Sequence, residues 1–143
     1  MIDEKLKKHL KFYEGEVKED GRHMPYTCPA GHLTIGWGRN LERGLSEDEA
    51  EYLLSNDIKN MKLEILAKWP WMKSLDKVRF ECFVRLAFNI GIPTLSQFKN
   101  TLAAAKIGDW DKCANELIDS RWHKQVGSRG DDIAAEVRTG VYQ

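Results

Sequence analysis

The chain has 143 residues, with twenty-two basic and twenty-two acidic side chains that cancel. That balance removes the bulk electrostatic argument for nucleic acid or an anionic membrane as a partner, and the length suits one domain able to bury a sizeable core. Cys28, Cys82 and Cys113 form an odd, widely spaced set, which excludes a closed disulfide framework in a monomer and offers no Cys/His zinc pattern.

In chain order, Ile2, Leu6, Leu10 and Tyr13 recur at helical spacing, which predicts an amphipathic helix over 2–13 that Gly15 ends. Lys5, Lys7, Lys8, His9 and Lys11 read as its solvated face. From about 15 to 45 the helical period disappears. Short apolar runs broken by Gly21, Pro25, Pro29, Gly31, Gly36 and Gly38 predict a small irregular β lobe. Ser46 and Glu49 form a capping box that opens a connecting helix over about 46–68, ended by Pro70. Helical periods follow at 75–90, 95–106, 109–119 and 130–138, with Asp109 as a cap, so 70–143 reads as a helical lobe. The fold class is therefore α+β and mostly helical, two-lobed, with a cleft between lobes suited to an extended substrate. Cys82, Cys113, Trp69, Trp71, Trp110 and Trp122 stand at helical positions and are expected in the core.

The chemistry-bearing stretch runs from Tyr26 to Gly38, with Glu14-Gly15 upstream. A hairpin there would bring Cys28 and Thr34, with five residues between them, towards one cavity. A glutamate at a helix end, placed among Tyr13, Tyr26 and Trp37, would have its pKa raised by desolvation and could act as a general acid. Cleaving a glycosidic bond needs that acid, and a second group to activate water or stabilise the sugar cation. Cys28 sits in a Pro/Gly turn where no packing demands sulfur.

Glu14-Gly15, followed by Tyr26-x-Cys28-Pro29-Ala30-Gly31-x-x-Thr34-Ile35-Gly36-x-Gly38, resembles the signature of the phage-type lysozymes (endolysins, glycoside hydrolase family 24). Phe88-Asn89-Ile90-Gly91 with Phe98 and Leu102, Gly108-Asp109-Trp110, and Ser120-Arg121-Trp122 through Arg138-Thr139-Gly140 are similar to later segments of that family. The resemblance implies a lysozyme-like fold and muramidase activity: hydrolysis of the β-1,4 bond between N-acetylmuramic acid and N-acetylglucosamine in peptidoglycan. It implies Glu14 as general acid and Cys28 with Thr34 as the residues that position or activate water. Phe88, Asn89 and Arg129 are implied as substrate-binding residues, with Arg129 at the place of an arginine that pairs with the catalytic Glu and lowers its pKa. The family is described as inverting, a geometry that typically separates the two catalytic groups by ~6.5–9.5 Å. No metal and no cofactor are implied.

Two departures stand out. Cys28 stands where the family has Asp or, in some members, Cys, and a free thiol ionises near ~8.5, so either a neighbour such as His32 lowers that value or Cys28 holds water. Thirteen residues separate Glu14 from Cys28, where the family usually has eight, and the surplus fits an inserted turn around Glu19-Asp20-Gly21-Arg22-His23. Glu19 stands eight residues before Cys28 but has no following Gly and no apolar helix before it, so Glu14 is preferred. Two other readings are a cysteine hydrolase pairing Cys28 with His23 or His32, for which no Asn/Asp orienter is evident, and a catalytically weak peptidoglycan-binding module. The N-terminus shows neither a signal-like apolar segment nor a membrane span. The expected setting is a monomer in the host bacterial cytoplasm of a phage or prophage. There it awaits a holin-type permeabiliser before acting on the periplasmic wall.

Overall fold

The computed structural model describes residues 3–143, so Ile2, first in the expected apolar stripe, lies outside the described residues. The chain is α+β, with its short strands confined to the N-terminal region and helices filling the remainder. Packing divides it into two compact units, one ending at Tyr52 and one running from Leu53 to Gln143.

The first unit opens with helix α1, Glu4–Glu14. Asp3 caps it by accepting from the amides of Lys5 and Leu6, and Gly15 ends it at φ 69°. The expected apolar face is not buried here: Leu6, Leu10, Phe12 and Tyr13 are 50% exposed or more. The reason is local, since the strands of this unit are two or three residues long and offer no broad apolar face to cover.

Strands β1 (Lys18–Glu19) and β2 (Arg22–His23) form an antiparallel hairpin. Its two-residue turn, Asp20 and Gly21, has positive φ at both positions (51° and 77°), the geometry that matches the twist of paired strands. This hairpin occupies the stretch around Glu19-Asp20-Gly21-Arg22-His23 where the surplus spacing places a turn. Strands β3 (Tyr26–Thr27), β4 (Leu33–Ile35) and β5 (Arg39–Asn40) form a three-stranded antiparallel sheet with β4 in the centre. A 3₁₀ turn, Leu41–Arg43, follows directly, capped by Asn40 Oδ1 on the Glu42 amide at 2.9 Å.

Helix α2, Glu47–Lys68, begins as expected: the Glu49 amide donates to Ser46 Oγ at 3.2 Å and Glu49 Oε1 accepts from the Ser46 amide at 2.9 Å. Pro70 starts a 3₁₀ segment, Pro70–Ser74. The second unit continues with α3 (Lys77–Ile90), α4 (Ile92–Leu95), α5 (Lys99–Ile107), α6 (Trp110–Ile118), α7 (Arg121–Val126) and α8 (Ser128–Thr139). Its core gathers Ile65, Met72, Phe83, Leu86, Leu95, Leu117, Ile133 and Val137, with both Cys82 and Cys113 fully buried. Trp122 is buried, and Trp69, Trp71 and Trp110 pack against the cluster, as core placement requires. Asp109 caps α6 by accepting from Lys112 N at 3.2 Å. Periodicity does not reveal α4, which forms over the expected separator Ile92-Pro93, and the helix expected from 95 starts at Lys99. It also misses α7, whose six residues carry one buried side chain, Trp122, before Gly127 breaks the chain at φ 61°. No helix among the described residues is long and apolar enough to cross a membrane.

Candidate active site

Within the first unit, Glu14, Tyr26, Cys28, Pro29, His32, Thr34, Gly38 and Asn40 line one pocket of about 300 Å³. Strand register explains most of that set. Tyr26 lies opposite Thr34 across β3–β4, and Thr34 lies opposite Asn40 across β4–β5, so these three form one cross-strand row. Cys28 follows Tyr26 by two residues and falls on the same side where extended period holds. Thr34, on the central strand, is only 4% exposed.

The turn between β3 and β4 is tied by backbone bonds. Cys28 N donates to the His32 carbonyl at 2.9 Å, and Gly31 N donates to the Cys28 carbonyl at 2.9 Å. Thr34 Oγ1 also donates to the His32 carbonyl, at 2.9 Å. One carbonyl therefore binds both Cys28 and Thr34.

Glu14 reaches the same pocket from the C-terminal end of α1. The approach depends on Gly38, where an added Cβ would stand 2.9 Å from Glu14 Oε2. Gly38 is also held at φ 82°, a conformation that L side chains rarely adopt. The expected aromatic enclosure of Glu14 is not formed in this unit. Tyr13 is 80% exposed, and Trp37 turns its indole N–H to Glu16 Oε2 at 2.9 Å while its ring meets Lys11 and His23. Tyr26 is the one of the three aromatics that lines the pocket. Glu19 lies in β1, exposed, and is not part of that lining.

The Cys28 thiol is held below its ordinary pKa, chiefly by a hydrogen bond from the His32 backbone amide. Partial burial works against this, while the Ala30 amide, the Thr34 hydroxyl and the His32 charge add to it. Thr34 has one hydroxyl proton, and it points at the His32 carbonyl, so its support of a thiolate ranks behind that of the amide. His32 does lower the thiol, as one branch of the sequence reading expects, but mainly through its backbone and less through imidazole charge.

The His32 ring is engaged elsewhere: Nδ1 lies 2.9 Å from Glu42 Oε2, and Glu42 Oε1 accepts from the Leu33 amide at 3.4 Å. Those two donors hold the Glu42 carboxyl below the usual carboxylate range, His32 first. Glu42 is an orienter for His32 that the sequence does not display, because it comes from a 3₁₀ turn ten residues on. Glu42 stands behind the pocket, while Asn40 is a residue of the lining itself not singled out from sequence. Strand register places it opposite Thr34, and no motif marks it.

Phe88 and Arg129 lie in the second unit and line a separate pocket of about 430 Å³ with Leu54, Ile58, Lys62, Glu81, Val84 and Arg85. Phe88 is half exposed. Asn89 is not in that lining; its Oδ1 accepts from Trp122 Nε1 at 3.0 Å and satisfies the indole of a buried ring.

The pocket of this small α+β chain gathers a carboxyl group, a thiol and a hydroxyl, and supplies one of the two carboxyl groups that glycoside hydrolysis commonly uses. The family model for phage lysozyme matches residues 16–136, and the chain belongs to that family, as a glycoside hydrolase of the lysozyme kind. Cys28, Thr34, Phe88, Asn89 and Arg129 fall inside the matched stretch, and Glu14 stands just ahead of it. Among similar proteins, the probable T4-type lysozymes 1 and 2 of Dictyostelium discoideum are 26% and 25% identical, each match covering 95% of both chains. The pre-baseplate central spike protein Gp5 of Enterobacteria phage T4 is 25% identical over 67% of this chain, a match that spans 17% of Gp5.

Proposed function

We propose that the Glu14 pocket hydrolyses the β-1,4 bond between N-acetylmuramic acid and N-acetylglucosamine in peptidoglycan. The observation that carries this reading is the convergence of Glu14, Cys28 and Thr34 on one pocket despite the inserted β1–β2 hairpin between the first two. In the proposed reaction Glu14, in its carboxylic acid form, gives its proton to the leaving glycosidic oxygen. Water held by Thr34 and Cys28 attacks the anomeric carbon from the opposite face and loses its proton to the Cys28 thiolate. The bond to the leaving sugar breaks as the bond to water oxygen forms, and configuration inverts. Phe88 and Arg129 are proposed to contact the glycan chain. Host lysis, with a holin-type permeabiliser giving a monomeric enzyme access to the wall, is the setting this reading implies.

A second reading draws on a specific observation, the Glu42 orienter of His32, which supplies what a cysteine hydrolase built on Cys28 and His32 lacks in sequence alone. The products separate the two: a glycosidase releases reducing sugar, and an amidase releases free amine. Turbidity loss of permeabilised Gram-negative cells, with mass analysis of the released muropeptides, tests the proposal. Glu14→Gln is expected to lose lysis by about three orders of magnitude, the scale of a missing general acid, and Cys28→Ser to retain part of it. A fully active Glu14→Gln variant overturns the assignment of Glu14.

A further inference from the structure

Two hydrogen bonds converge on one residue of the turn between the two water-side groups. The His32 carbonyl accepts from Cys28 N and from Thr34 Oγ1, both at 2.9 Å. That residue is in turn held from behind: Glu42 takes the ring at Nδ1 and the next amide, Leu33 N, with its two carboxylate oxygens. Glu42 itself is fixed by the Asn40 side chain, which caps its amide and belongs to the pocket's cross-strand row.

We propose that Glu42 is a positioning residue of the site: by clamping the His32 ring and the Leu33 amide it fixes the one residue that carries both Cys28 and Thr34. This rests on the reading of Cys28 and Thr34 as the water-holding side of the pocket. The clamp restrains the turn at two points four and five residues from Cys28, so the His32 C=O stays bonded to both the Cys28 amide and the Thr34 hydroxyl, and the His32 N–H is kept in place to favour the thiolate. With the clamp gone, the turn retains its backbone bonds but loses the anchor on its outer side. The thiol then loses its strongest anion-stabilising donor for part of the time.

The sign of the effect separates positioning from simple charge. Titratable groups that line the pocket with Cys28 are Glu14 from α1, Tyr26 from β3 and His32 from the turn, with Glu42 behind His32. Arg39 and Arg43 line the adjoining pocket that shares Gly38 and Asn40. Removing the Glu42 negative charge would, by electrostatics alone, make the Cys28 thiolate easier to form. Loss of positioning makes it harder.

The test is the pH dependence of iodoacetamide alkylation at Cys28 in the full chain, read by peptide mass for wild type, Glu42→Ala and Glu42→Gln. Cys82 and Cys113 are buried, with thiols pushed up to about 12 chiefly by that burial, so they do not contribute. In Glu42→Ala the alkylation midpoint is expected to rise by about half a pH unit or more, which slows alkylation near pH 7.5 by about threefold. Glu42→Gln keeps one acceptor and is expected to fall between. A midpoint that falls, or does not move in a variant whose thermal melt stays cooperative, overturns the proposal. If Glu42→Ala does not fold, the direction of the Glu42→Gln shift decides. The titration needs no turnover, so an active Glu14→Gln enzyme would sink the proposed function without altering this result.

Discussion

At Gly38 two independent constraints act on one residue. Its φ of 82° is strained for any side chain, and an added Cβ would press on Glu14 Oε2 at 2.9 Å. Gly38→Ala is therefore expected to lower stability by about 1–2 kcal/mol and to push the carboxylate from the pocket. Thermal melting and turbidity loss measured together check this: activity should fall well beyond the fraction unfolded. Gly36, one residue from Trp37 on the other side, has positive φ but nothing within 4 Å of a built Cβ. The same substitution there should cost stability while leaving the folded fraction active. The contrast shows how much of this site was legible at the residue scale. The Gly-x-Gly spacing announces a turn, but only the closed structure tells the glycine that admits a carboxylate from the one that only bends the chain. Asn89 makes the same point from the other side. Its motif suggests a substrate contact, and the structure gives its carbonyl oxygen to Trp122.

Among the elements, α8 depends on a residue far from it in sequence. Arg79, on α3, donates from Nε to the Val137 carbonyl at 2.6 Å and from a terminal nitrogen to the Arg138 carbonyl at 2.9 Å. Its guanidinium also lies 4.4 Å from the Trp110 ring of α6. One side chain thus satisfies carbonyls of the last turn of α8, where intrahelical donors run out, and joins three helices. Arg79→Ala is expected to cost about 2–4 kcal/mol, because it leaves part-buried carbonyls unpaired and removes the cation over Trp110. Arg79→Lys should recover less than half of that, since an ammonium cannot reproduce the planar fork. Chemical denaturation of the two variants measures both values. Sequence periodicity marks α3, α6 and α8 as separate stripes and the Gly-Asp-Trp start of α6 as a cap. It carries no sign that Arg79 bridges them, because the partner atoms are backbone carbonyls that look alike at every position.

Across the whole molecule, burial is distributed unevenly. The buried apolar cluster begins at Ile65 and lies entirely in the second unit, while Thr34 is the buried residue of the first among those described. Local stability follows buried contact, so the amides of β3, β4 and β5 should exchange with deuterium much faster than those of α3, α6 and α8. A difference of at least about 2 kcal/mol in opening free energy is expected from native-state exchange. Equal protection in both units would contradict it. The pocket residues thus rest on a thinly packed scaffold held by side-chain ties, such as Trp37 to Glu16, Arg39 to Glu49 and His32 to Glu42. That arrangement explains why an anchor like Glu42 matters more here than it would beneath a large core.

Features that depend on near neighbours along the chain can be read from the residues alone. The capping box at Ser46, the Gly15 stop and the turn around Asp20-Gly21 are all set by residues within a few positions of one another, and each is found as expected. Tertiary structure alone decided which distant groups meet. The Glu14 carboxylate over Gly38, Asn40 across from Thr34, Glu42 behind His32 and Arg79 beneath α8 each depend on strand register or helix packing. Register and packing are fixed by the closing of the whole unit, and no local spacing encodes them. The exposed apolar face of α1 follows from the same cause, since helical period shows that a stripe exists but not whether its own unit has a surface broad enough to cover it.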